Sequence, residues 1–177
     1  MSRGRRGFAL ALPALLLAGT PRAARALVFG PRDGVLGFSV GVLGLFGATG
    51  RFETFRAARE GGRLLIEAEA ASLRLSSPSH EERVRGPAWF DAARFPVMRF
   101  EGADVLREGE TVPVPGTLTL RGRVLPVTGT ALVRAAAGGV ALDARTEISR
   151  AAFGMEADAP LVGDQVVLAL SVRRQIQ

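Results

Sequence analysis

The sequence predicts an all-β chain, an antiparallel barrel of about eight strands with one short helical excursion. Three observations carry this. Apolar residues recur at every second position in one segment after another, which is the period of a strand. Glycine-containing turns separate those segments: Glu60-Gly61-Gly62, Glu108-Gly109-Glu110, Arg121-Gly122 and Gly138-Gly139. No segment sustains a helical period. A two-sheet sandwich is the alternative architecture for the same pattern.

The elements follow in order. Leu36, Phe38, Val40 and Val42 alternate with Val35, Gly37, Ser39 and Gly41, and the small partners suit a bend or a close backbone approach. Residues 49–58 form a second strand carrying Phe52 and Phe55. Residues 63–71 are the clearest case. Leu64, Ile66, Ala68 and Ala70 share one face; Arg63, Leu65, Glu67 and Glu69 share the other. One face therefore meets a core and the other meets water. Residues 80–85 form the helical excursion, with Ser79 as its cap and Glu82 three positions on.

Residues 89–100 hold four of the chain's eleven aromatics. Trp89, Phe90 and Phe95 are expected to be buried at one end of the barrel. Pro96 is tolerated at the entry to a strand, in which Met98 and Phe100 then alternate with Val97 and Arg99. Further on, Leu118 and Leu120 point inward, followed by Leu125, Val127 and Leu132. Val140, Leu142, Ala144, Thr146 and Ile148 share the inner face of the next strand. Val166, Leu168, Leu170 and Val172 share that of the last.

The formal net charge is +6, but the basicity is local. Arg3, Arg5, Arg6, Arg22 and Arg25 all fall in the first 26 residues, where there is no acid. The remainder holds 18 basic residues against 17 acidic ones. A near-neutral body offers no electrostatic footprint for a phosphate backbone, so nucleic acid is not an expected partner. Basic residues, an apolar run over residues 8–18 and Ala24-Arg25-Ala26 together read as a signal peptide, residues 1–26, cleaved after Ala26. The run is too short to span a membrane, which needs about 20 residues. An ordinary, Arg-rich general secretory signal is the first reading of this segment, and Arg5-Arg6-Gly7-Phe8 makes twin-arginine export the alternative. One domain, residues 27–177, then lies in the periplasm. The chain has no Cys, which removes disulfides, thiolate nucleophiles and a lipid-anchoring cysteine.

Catalytic chemistry finds little to work with. His80 is the only histidine, set among Ser79, Glu81 and Glu82 on an expected surface turn. Glu67 and Glu69 share a face with Arg63, which reads as a solvated strand face. Gly61-Gly62 and Gly138-Gly139 lack the Lys-Ser/Thr and helix of a phosphate loop. A carboxylate hydrolase would need two acids converging in a pocket. An outer-membrane barrel would need an apolar outer band and aromatic girdles, whereas the outer faces carry Arg63, Glu67, Arg99, Glu101, Asp143 and Arg145. No enzyme, metal site, cofactor or stable membrane insertion is expected. The small inward residues Ala68, Ala70, Ala144 and Thr146 suit either a filled, tapered barrel or room for a ligand.

A set of short motifs adds to this: Gly37-Phe38-Ser39-Val40, Thr49-Gly50-Arg51-Phe52, Trp89-Phe90-Asp91, Gly116-Thr117-Leu118-Thr119-Leu120-Arg121-Gly122, Pro126-Val127, Ile148-Ser149-Arg150, Phe153-Gly154 and Val162-Gly163-Asp164. In this order and spacing the chain resembles the YceI family of periplasmic, isoprenoid-binding, lipocalin-like barrels. The resemblance implies an exported protein holding a polyprenyl chain, quinone tail or fatty amphiphile without catalysis. The implied lining is Phe38, Val40, Phe52, Ile66, Ala68, Ala70, Met98, Phe100, Leu118, Leu120, Leu142, Ala144, Thr146, Leu168 and Leu170. Arg83, Arg85 and Arg121 are the candidates for the cavity mouth. The family's usual histidines are replaced: Pro31 is followed by Arg32-Asp33-Gly34, and Val42, Glu81-Glu82-Arg83-Val84 and Arg121 stand at the other positions. A filled barrel acting as a periplasmic stress or interaction protein is the other functional reading. The sequence leaves the oligomeric state, homodimer included, open.

Overall fold

Turns of positive φ fix where strands end. In the computed structural model, which describes residues 27–44 and 46–175, Gly61 and Gly62 have φ of +56° and +75°. A two-residue hairpin loop of this kind needs positive φ at both central positions. Arg121 and Gly122 make the next such turn at +50° and +70°. Gly122 is held for a second reason, since a Cβ there would meet the Phe95 ring at 2.7 Å. The expected signal peptide lies outside the described residues.

The strands are β1 (Leu27–Phe29), β2 (Gly34–Val42), β3 (Phe46–Phe52), β4 (Phe55–Glu60), β5 (Arg63–Glu69), β6 (Leu73–Leu75), β7 (Val97–Ala103), β8 (Thr111–Leu120), β9 (Arg123–Ala136), β10 (Gly139–Ser149) and β11 (Val162–Gln175). They form one antiparallel sheet in the order β1-β4-β5-β7-β8-β9-β10-β11-β2-β3-β6. The expected closed barrel of about eight strands is corrected to an open, curled sheet of eleven. Two additions are the three-residue edge strands β1 and β6, short edges that offer little template for further pairing. The third comes from a break in the strand expected over residues 49–58. There Thr54 N–H donates to the Ser72 hydroxyl at 3.0 Å and Glu53 N–H to the Ser72 carbonyl at 3.1 Å. Those bonds replace the ladder, so β3 pairs with β2 and β6 while β4 pairs with β1 and β5.

Two phases differ from expectation. Ala70 leaves the strand for a 3-10 turn, Ala70–Ser72, where its N–H donates to the Pro96 carbonyl at 2.8 Å. On β9 the inward residues are Leu125, Val127, Ala131 and Val133, so Leu132 is excluded from the core. The helical excursion is a 3-10 turn, Pro78–His80, running into α1 (Glu81–Arg85). Ser79 does not cap it; its hydroxyl lies 3.2 Å from His80 Nδ1. Glu81 does the anchoring instead, accepting from Leu75 N–H at 3.1 Å and from Arg85 at 2.7 Å. This ties a five-residue helix, too short to be stable alone, to the end of β6.

The aromatic corner closes one part of the core. Phe90 packs against Phe38 at 6.2 Å and Phe52 at 5.9 Å between ring centroids, and Phe38 lies 5.8 Å from Phe52. These separations suit tilted aromatic pairs. Trp89 and Phe90 are buried as expected, while Phe95 is half-buried against the Arg121-Gly122 turn.

Candidate ligand cavity

Inward alternation on the curled sheet leaves space that side chains do not fill. The main cavity measures about 400 Å³, within the range of about 300–1,000 Å³ usual for small-molecule sites. Phe38, Val40 and Val42 enter it from β2, and Val162, Val166 and Leu168 from β11. Met98, Leu120 and Ile148 come from β7, β8 and β10. Trp89, Phe90, Met98, Leu120, Ile148, Arg150 and Met155 are buried and form its floor. Ser76, Ser77, His80, Arg83 and Leu161 are exposed and mark its mouth. The lining is thus mostly apolar, with Arg150 the one charged group in the floor and polar side chains gathered at the mouth.

Arg150 organises the loop that completes the floor. It is 2% exposed, and all its hydrogen bonds go to main-chain carbonyls. Nε donates to Gly163 at 2.9 Å, Nη1 to Met155 and to Ala157 (the latter at 2.8 Å), and Nη2 to Val162 at 2.7 Å. Beside it, Asp164 accepts from Ala151 N–H at 2.9 Å. That bond first, and then the Ser149 hydroxyl, hold the Asp164 carboxyl below the usual carboxylate range; burial opposes them, and the Arg150 charge adds the least. Glu81 is lowered likewise, first by the Leu75 N–H and further by Arg85 and Arg74, with burial opposing. Across the mouth, the Arg83 guanidinium pairs with Asp158.

A smaller cavity of about 60 Å³ adjoins the main one, sharing Met98 and Leu168. β9 and β10 pair only as far as Thr130 and Arg145; beyond them the sheet splits, β9 staying with β8 and β10 with β11. Gly129, Thr130, Arg145 and Thr146 border the small cavity at that split. A third cavity, about 170 Å³, lies among Leu27, Phe29, Leu106, Val133 and Leu142.

The expected lining residues distribute over these spaces. Phe38, Val40, Met98, Leu120 and Leu168 border the main cavity. Ile66, Phe100, Leu118, Ala144, Thr146 and Leu170 border the small one, together with Met98 and Leu168. Leu142 borders the third. Phe52, Ala68 and Ala70 sit in the packed core. Of the three arginines, Arg83 stands at the mouth. The structure places the other two elsewhere, because main-chain acceptors claim them. Arg85 donates to the Leu73 carbonyl and to Glu81. Arg121 donates to the carbonyls of Gly154 and, at 2.9 Å, Pro87. Sequence reasoning missed Met155, Asp158 and Leu161, which stand in an irregular loop with no period to find them by, and it named Arg150 only within the Ile148-Ser149-Arg150 motif. Ile148 and Val166 had the right phase and were named only as inward residues.

Among the described residues, no group of three His, Cys, Asp or Glu side chains could hold a metal ion. No helix there is long and apolar enough to cross a membrane. A search of curated protein sequences gives no match. Solved structures share the fold. BcnA of Burkholderia cenocepacia superposes with a TM-score of 0.69 at 21% identity, covering 80% of this chain and 96% of its own. A polyisoprenoid binding domain from Saccharophagus degradans, implicated in plant cell wall breakdown, gives 0.68 at 16% identity, covering 85% and 98%. The YceI protein of Campylobacter jejuni gives 0.63 at 17% identity, covering 72% and 84%. The sequence model of the YceI-like domain matches residues 28–173, and the chain therefore belongs to the YceI family.

Proposed function

We propose that this chain is an exported, periplasmic binding protein that holds the tail of an isoprenoid, a quinone or a similar fatty amphiphile in its main cavity, without catalysis. The observation that carries the reading is the cavity itself: about 400 Å³, lined mostly by apolar side chains, with Ser76, Ser77, His80 and Arg83 exposed at its mouth. Burial of each methylene of a tail there is worth roughly 0.8 kcal/mol before entropic losses. Binding is then mainly hydrophobic, and Arg83 with the mouth hydroxyls orients the head group. The polyisoprenoid binding domain of similar fold supports the choice of ligand class.

Native mass spectrometry of the protein purified from its own periplasm tests this. A bound hydrophobic mass, lost on delipidation and restored by added isoprenoid, is the expected result. A ligand-free mass that takes up no isoprenoid would leave the filled-barrel reading. The same sample gives the processing site, for which Leu27 is expected as the first residue of the exported form.

A further inference from the structure

The main and small cavities share two bordering residues, Met98 on β7 and Leu168 on β11. The rest of their walls differ. From this the geometry points to Met98 as the residue that sets how long a tail the protein accepts, an inference that rests on the binding function proposed above. As it stands, Met98 lies where the two cavities adjoin. Turned aside, it joins the small chamber to the main one.

Three features make Met98 the moving part. Its side chain is unbranched, with three rotatable bonds and a polarisable sulfur, so it can change rotamer without moving β7. Leu168, branched, is the stiffer side of the neck. Room for the movement lies on either side of Met98, which borders the main cavity and the small one.

The chamber behind the neck fits an extension and not a site of its own. At about 60 Å³ it is far below the roughly 300 Å³ where ligand sites begin. Its wall includes Gly129, which has no side chain, and Ala131 and Ala144, which carry only a methyl group, so the space is left unfilled. Empty apolar space costs stability, and the end of a tail entering it recovers contacts.

The experiment uses geraniol, farnesol and geranylgeraniol, which differ by one isoprene unit each, titrated into delipidated protein. Trp89, the only tryptophan, borders the main cavity and reports binding by its fluorescence. Native mass spectrometry confirms stoichiometry. The wild-type protein is expected to bind more tightly with each added unit. Met98→Phe is expected to lower the ratio of geranylgeraniol affinity to geraniol affinity by on the order of tenfold or more. Met98→Ala is expected to shift the preference the other way. Leu168→Phe narrows the same neck from β11, so it must reproduce the Met98→Phe profile, and it carries the test if Met98→Phe does not fold. An unchanged length profile in these variants, or an equal loss for all three alcohols, overturns the inference while binding stands. No uptake of any alcohol by the wild-type protein overturns the binding function and the inference together.

Discussion

The Arg150 guanidinium lies over the Trp89 ring, 4.9 Å from its centroid, and joins the loop before β11 to the aromatic corner before β7. Its hydrogen bonds to the carbonyls of Met155, Ala157, Val162 and Gly163 spread one positive charge over four acceptors. Removing it leaves several polar groups short of partners. Arg150→Met is expected to cost about 3–5 kcal/mol in urea melts. Arg150→Lys keeps the charge but not the planar fork, and is expected to recover less than half of that loss. A cost below about 1 kcal/mol for Arg150→Met would show that the loop holds itself.

Two alanines that look equivalent in the sequence are expected to answer differently to enlargement. Ala68 is 3% exposed in the packed core beside Met98. Ala68→Phe therefore overpacks, costing about 1–3 kcal/mol or more. Ala144 borders the small cavity, so part of an added ring has space to enter. Ala144→Phe is expected to melt closer to the parent protein and to lose affinity for geranylgeraniol more than for geraniol. Equal destabilisation by both substitutions would show that the small chamber cannot take added atoms.

The contrast between those alanines shows where sequence periodicity stops. It placed Leu118, Leu120, Leu142 and Leu170 on the inner face, and all four are buried. Period two reports which face a residue is on, not whether the space in front of it is filled. It failed on β9 because Gly129 and Ala131 occupy inward positions there and carry little hydrophobic signal, so Leu132 stood out on the wrong face. It missed the break after Phe52 because the bonds that make it come from Ser72, 18 positions along the chain from Thr54. The polar parts of the cavity were hidden for a related reason. Arg150 and Asp158 belong to a segment without period, and their roles arise from carbonyls and charges brought in by folding.

Asp164 gives the fold an acid-sensitive contact. Its carboxyl is held below the usual range first by the Ala151 N–H, then by the Ser149 hydroxyl, with Arg150 adding. A carboxylate with a depressed folded pKa contributes stability above its unfolded value, about 4. That contribution is lost as pH falls through the folded value. Asp164→Asn is thus expected to lower the melting temperature at neutral pH, and the gap from the parent protein is expected to close as pH falls below about 4. Thermal melts over a pH series check this. A gap independent of pH would assign the effect to the shape of the amide and not to charge.

The last prediction concerns the mouth. Arg83 on α1 and Asp158 in the loop before β11 form an ion pair, and both border the main cavity. The Arg83 side chain is 62% exposed, and pairs of this kind contribute about 0–1 kcal/mol to stability. The pair spans the entrance, however, so a ligand entering or leaving must pass or part it. Arg83→Ala is expected to leave denaturant melts within about 0.5 kcal/mol and to speed the release of bound farnesol. Salt screens exposed charges, so raising it is expected to speed release from the parent protein and to have little effect on the variant. Stopped-flow measurement of Trp89 fluorescence, with excess unlabelled lipid vesicles as the acceptor, separates the rates. Release that is equally fast in both proteins, with the same salt dependence, would mean that the tail reaches the cavity by another route. The split between β9 and β10, beneath which Thr130 and Thr146 border the small cavity, would then be the first place to look.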